Sequence, residues 1–246
     1  MDRTTAATRL HLIAAGERLF AERGINGVSV REIAAEAGQR NTNAVRYHFG
    51  AKEDLVGAIF EHRMAPINAR RTGLIESHDL EGRARDPYAV AEAFTLPMAE
   101  LLREGGAPSW YLRFCVQATY TVSPDAVVMQ PAQLGERPHT QGLLVLYRRA
   151  MELTAGLPDT IRAQRWHHFC SFVVHALADR ELRTSVGRAA HLDNPPADRG
   201  PGGGTMPLDL FVADLVDTAT ALLTAPARSW TLRSATAGAT PLGRTI

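Results

Sequence analysis

Residues 28–53, VSVREIAAEAGQRNTNAVRYHFGAKE, constrain the fold of this chain more than any other stretch. Ser29 and Glu32 have the S-x-x-E spacing of a capping box, in which each side chain takes up a backbone N–H that the first helical turn leaves without a partner. Val30, Ile33, Ala34 and Ala37 follow at i, i+3, i+4 and i+7, one apolar stripe on a short helix. Gly38 stands just past the last of them, where a left-handed residue closes a helix. A second helix is expected to start near Asn41 or Thr42, both good N-caps, and to bury Val45 and Phe49. Asn43, Arg46, Tyr47 and His48 are then turned outward or sideways. Two short helices broken by a glycine at this spacing predict a helix-turn-helix, whose second helix fits the DNA major groove.

The runs SVREIAAEAG and YHFGAKE, with the helix before them, resemble the DNA-binding head of the TetR family of bacterial repressors over about residues 9–62. Two departures stand out. The turn after Gly38 is one residue longer than the commonest family pattern. Ala51 occupies the place of a usual capping Ser, so the following helix is expected to lack a cap that contributes about 1 kcal/mol. The resemblance implies a DNA-facing set: Arg31 on the first helix, Gln39, Arg40, Asn41, Thr42 and Asn43 in the turn and first helical turn, then Arg46, Tyr47 and His48. Arg can donate twice to guanine, and Asn or Gln can bond adenine in the same paired way. Lys52, at the start of the next helix, adds charge to free backbone N–H groups, a combination that binds phosphate.

The rest of the chain predicts an all-α fold. A head over 1–62, a helical body over 63–225 and a disordered tail over 226–246 account for its 246 residues. The net charge is only +1, but residues 1–71 carry a surplus of basic side chains and the remainder a small surplus of acids, the direction a DNA-binding head requires. Lys52 is the only lysine among 27 basic residues. Residues 1–8 read as a frayed arm, with helix 1 running from about Arg9 to Arg23. The helix that starts near Lys52 meets Pro66, which should interrupt or bend it, and resumes with Arg70 and Arg71 on a polar side. Proline-rich residues 123–138 and Gly/Pro-rich residues 187–207 read as loops. Two cysteines, Cys115 and Cys170, make neither a disulfide framework nor a metal cluster. No signal-peptide core and no run of 18 apolar residues is seen, so a cytoplasmic protein with no membrane partner is expected.

In the resembled family, the last two helices pair with those of a second subunit. That implies a homodimer, with Trp166, Val173, Leu177, Phe211, Leu215 and Leu222 as interface candidates. A small, partly apolar effector would occupy the body. Phe94, Met98, Trp110, Phe114, Tyr120, Tyr147 and Phe169 are its candidate walls, with Gln117 and His175 as polar handles. The implied function is a ligand-responsive repressor that binds a palindromic operator in double-stranded DNA. A helical enzyme and a dimeric adaptor without DNA function are the alternatives. Enzyme signatures such as a P-loop or H-E-x-x-H are missing, and adjacent His167 and His168 point about 100° apart on a helix, unlike a chelating i, i+4 pair. No cofactor or metal is expected.

Overall fold

The structure, a computed structural model, describes residues 3–41, 43–103, 109–121, 139–193 and 206–236. Helix α1, Arg3–Arg23, begins inside the stretch expected to fray. Helix α2, Val30–Glu36, starts at the capping box read from the sequence. Glu32 N–H donates to Ser29 Oγ at 3.3 Å, and Ser29 N–H to Glu32 Oε2 at 2.8 Å. The backbone bond from Ser29, joined by one from the Arg23 side chain, holds the Glu32 carboxyl down at about 2. At the other end Gly38 takes φ 69°, a conformation that a side chain disfavours. Gln39 N–H then reaches Ala34 O at 2.8 Å and Gly38 N–H reaches Ala35 O at 3.0 Å, the paired bonds of a Schellman stop.

Helix α3, Ala44–Phe49, starts later than its sequence suggested. Asn41 is the cause. Its Oδ1 accepts the Asn43 N–H at 2.9 Å and its backbone oxygen accepts the Ala44 N–H at 3.0 Å, a local turn that delays the helix. Helix α4 then runs over Lys52–Leu80, 29 residues without interruption. The expected break at Pro66 does not occur. Proline removes only the bond to the His62 carbonyl, and both residues lie on the exposed side, where water can serve that oxygen. At the start of α4 the missing cap at Ala51 is half replaced: Asp54 Oδ2 accepts the Ala51 N–H at 2.9 Å.

The body consists of α5 (Pro87–Ala99), a 3₁₀ turn (Glu100–Leu102), α6 (Tyr111–Thr121), α7 (Gln141–Leu153), α8 (Asp159–Asp193), α9 (Leu208–Thr224) and α10 (Ser229–Thr236). Every regular element among the described residues is helical, so the all-α expectation holds. Two loop readings are corrected. Helix α8 continues through residues 187–193, and α10 lies within the tail expected to be disordered. Most of the other expected loops, 123–138 and 194–205, lies outside the described residues, as does the end of the tail, 237–246.

Helix α5 is the hub of the body and packs against α4, α7, α8 and α9. Helix α1 packs against α2, α4 and α6, so the head leans directly on the body. Phe20 of α1 meets Phe114 of α6 at 6.3 Å between ring centres, and Phe60 of α4 meets Phe114 at 4.9 Å. Deeper in the body Phe94, Trp166 and Phe169 pack together, with ring centres 5.0 to 5.9 Å apart.

Arg71 departs furthest from its expected polar, solvent-facing place: only 1% of it is exposed. Its Nε donates to the Ala93 carbonyl of α5 at 3.2 Å. That carbonyl would ordinarily bond the N–H four residues on, but residue 97 is a proline and has none. Arg71 supplies the donor that Pro97 removes. A mutant cycle read by urea unfolding should therefore show coupling. Arg71→Met is expected to be less favourable by about 1 kcal/mol when residue 97 is Pro than when it is Ala.

Candidate nucleic-acid interface and adjoining cavity

Helix α3 is held by its apolar side. Ala44 and Val45 are buried against α2 and α4, and Phe49 is half-buried. The opposite side faces solvent. Asn43 and Arg46 are exposed, and Tyr47 is 79% exposed, an unusual state for so large a ring. Arg40 and Asn41 in the turn are exposed, as is Arg31 on α2. The structure thus brings Arg31, Arg40, Asn43, Arg46 and Tyr47 together as a polar, solvent-facing set on α2, the turn and α3.

Other members of the expected set have internal engagements. Gln39 is half-buried, and its Nε2 donates to Ala37 O at 3.2 Å. Asn41 Oδ1 is taken by the turn it builds. His48 is half-buried, edge-on to Tyr47 at 5.0 Å between ring centres. Thr42 lies outside the described residues. Lys52 is engaged internally as well. Its ammonium donates to the carbonyls of Ile25 at 2.9 Å and Val28 at 3.3 Å, fastening the α1–α2 connection to the first turn of α4. Two of its three N–H donors are therefore taken by backbone carbonyls. Two ion pairs, Arg18 to Glu36 and Arg23 to Glu32, fasten α1 to α2 in a similar way.

Beside α3 opens a cavity of about 510 Å³. One wall belongs to the head: His48 and Phe49 of α3, with Glu53, Asp54 and Gly57 of α4. The other belongs to the body: Arg71, Phe94, Met98, Tyr111, Cys115, Leu143 and Val174. Arg9 of α1 stands near its edge, with its guanidinium 4.8 Å from the centre of the Phe49 ring. Burial pushes the Cys115 and Cys170 thiols well up from their ordinary range, so neither is a nucleophile at neutral pH.

Of the expected effector walls, Phe94 and Met98 line this cavity. Phe114 and Phe169 are instead fully buried in ring clusters. Tyr147 packs edge-on to Trp166, and Trp110 lies under the Arg113 guanidinium at 4.3 Å. Gln117 sits at Gly24, on the contact between α6 and the end of α1. His175 turns its Nδ1 back to the Ser171 carbonyl at 2.7 Å. The side chain of Tyr120 lies outside the described residues. The expected dimer set also divides. Trp166, Val173, Leu177 and Leu215 are buried in the subunit's own core, whereas Phe211 is half-buried and Leu222 is exposed. Helical spacing shows an apolar face but not which neighbour covers it, and here four of the six residues are covered within the subunit.

The inward-turned ammonium has a measurable consequence. Lys52→Met should lower the unfolding free energy by about 1–2 kcal/mol, since two carbonyls lose a charged donor. Equilibrium urea unfolding checks this, and an unchanged midpoint would contradict the role given to Lys52.

The sequence profile of the bacterial regulatory proteins of the tetR family matches residues 12–59. The HTH-type transcriptional repressor Rv3405c of Mycobacterium tuberculosis is 38% identical over 80 residues, covering 31% of this chain and 40% of that protein. The HTH-type transcriptional regulator Mb3439c of Mycobacterium bovis matches to the same extent, 38% over 80 residues. The chain thus spans 40% of the length of these curated relatives. Among solved structures, a HlyIIR mutant protein is 19% identical, with 90% of this chain and 100% of that chain covered at a TM-score of 0.48. A putative TetR-family transcriptional regulator from Mesorhizobium loti is 16% identical, with 92% and 96% covered at a TM-score of 0.42. The capping-box helix, the Schellman turn and the exposed second helix all fall inside the matched segment, residues 12–59, and it is over this segment that the chain is similar to the bacterial regulatory proteins of the tetR family.

Proposed function

We propose that the chain is a cytoplasmic, homodimeric repressor that binds a palindromic operator and leaves it when a small effector enters the cavity beside α3. The observation that carries this reading is the outward face of α3. A short helix buries two residues completely and holds Arg46 and the Tyr47 ring in solvent, an arrangement with no packing purpose. Arg31, Arg40 and Asn43 flank it with hydrogen-bonding groups suited to base edges and phosphates. Repression is taken from the M. tuberculosis relative, which bears that description. His48 is assigned to a phosphate at the rim of the contact, and Lys52 to support of the head.

A second subunit is needed because one short helix makes few contacts, whereas two linked heads bind with a combined affinity. The proposed pairing uses the outward faces of α8 and α9. On α8 these carry His168, Phe172 and Ala176 at four-residue spacing; on α9 they carry Thr218 and Leu222. The effector would act because the cavity shares a wall with α3. A ligand that prefers one placement of α3 against the body shifts the population of head positions, by no more than its differential affinity.

Selection of bound sites from random duplexes tests the reading as a whole. The expected product is an inverted repeat; recovery of no preferred sequence would count against it. Arg46→Ala should weaken the selected duplex by about 1–3 kcal/mol while leaving random DNA almost unchanged. Equal losses on both would reduce Arg46 to a phosphate contact. Combining Phe172→Glu with Leu222→Glu should shift sedimentation from dimer to monomer and lower affinity for the inverted repeat. A dimer that persists would move the interface elsewhere.

A further inference from the structure

Among the described residues Arg71 is a buried cation without a counter-ion. Its Nε is occupied by the Ala93 carbonyl, but its Nη1 is buried and meets no acceptor. Among the described residues no carboxylate forms an ion pair with it. The guanidinium lies 5.7 Å from the centre of the Phe94 ring, and both residues line the cavity. Burial pushes its pKa down only to about 10, so the group remains charged at neutral pH. An uncompensated buried charge is strongly unfavourable, and proteins retain one where something else completes it.

The surroundings of Arg71 point to what completes it. Helix α7 begins beside the guanidinium. Gly142, in its first turn, packs so closely that a Cβ there would lie 3.1 Å from Arg71 Cδ and 2.9 Å from Asn68 Oδ1. Thr140 and Leu143, which flank Gly142, line the same cavity. The start of this 13-residue helix carries the positive end of its dipole, so dipole and guanidinium favour the same sign of charge. Tyr111 lines the cavity as well, its buried hydroxyl hydrogen-bonded to Cys115. Phe94 lies beside the guanidinium, and the rest of the lining combines Phe60, Met64, Met98 and Val174 with the carboxylates of Glu53, Asp54 and Glu61 on the head side.

We propose that the cavity binds an apolar monocarboxylate, with its carboxylate on Arg71 at the start of α7 and its apolar body between Phe60, Met64, Phe94 and Met98. This rests on the effector role given to the cavity above. Pro97 contributes indirectly: it frees the Ala93 carbonyl, which holds Arg71 Nε and leaves Nη1 without a partner. A neutral ligand of the same shape would fill the walls but leave the charge uncompensated, and a cationic one would be repelled.

Isothermal titration calorimetry on the full chain tests this with two matched pairs, decanoate against decanol and 2-naphthoate against 2-naphthalenemethanol. At least one acid is expected to bind about tenfold or more tightly than its own alcohol, the scale of one charged hydrogen bond. Arg71→Gln should erase that preference while the alcohol still binds, and Arg71→Lys should keep part of it. Circular dichroism establishes that each variant is folded, and the wild-type comparison of acid with alcohol stands whether or not the variants fold. The proposal is overturned if neither acid binds, if alcohols bind as well as acids, or if a folded Arg71→Gln chain keeps the preference. A parallel measurement of duplex release separates the two readings. Selective acid binding without release would retain the carboxylate site and remove the effector role. Duplex binding by a chain that ignores both acids would retain the regulator and remove the site.

Discussion

The carboxylate of Glu17 fixes how the head sits on the body. It is 2% exposed and belongs to α1, yet it accepts two bonds from Arg63 of α4, at 2.6 and 2.7 Å, and a third from the Trp110 N–H just before α6, at 3.2 Å. A buried carboxylate with a forked guanidinium partner has a narrow range of acceptable geometries, and loss of either partner strands a charge in the interior. Three helices from two parts of the chain are therefore held at one point. Phe20, Phe60 and Phe114 pack the same junction from its apolar side, and α4 passes through it without a break.

The cavity shares Phe60 with that junction. Its walls include the second half of α3 and the first half of α4. A molecule in the cavity would touch α3 directly, through His48 and Phe49. Glu181 supports the far side. Burial raises its pKa, and the Arg113 backbone and side-chain N–H groups, at 3.2 and 3.1 Å, oppose that rise. This second buried pair joins α6 to α8.

Much of the head was legible in the sequence because its signals are local. Ser29 and Glu32 lie three residues apart, and Gly38 and Gln39 close the helix through bonds to Ala35 and Ala34, so the whole circuit lies between Ser29 and Gln39. The late start of α3 was less legible, because Asn41 chooses between capping a helix and making a turn by small energy differences. The body yielded its helices but not their neighbours. Val173 and Phe172 are adjacent apolar residues; one is fully buried and the other half-exposed, and only the packing of neighbouring helices decides which. Arg71 was misread for the same reason. Beside Arg70 it looks like one of two surface charges, and its burial is explained by Pro97, 26 positions later, through a carbonyl that no periodicity reveals. A proline inside a helix is a cue worth following: four residues earlier stands an oxygen that needs a donor.

The fastening of Lys52 has a chemical corollary. Enzymes that transfer acyl groups to amines need a free side-chain nitrogen, and the only one this chain offers is tied down by two backbone oxygens. Apart from the histidines, every other basic side chain is a guanidinium, which resists such transfer. The cationic face around Arg31, Arg40 and Arg46 is thus insulated from acetylation-type signalling.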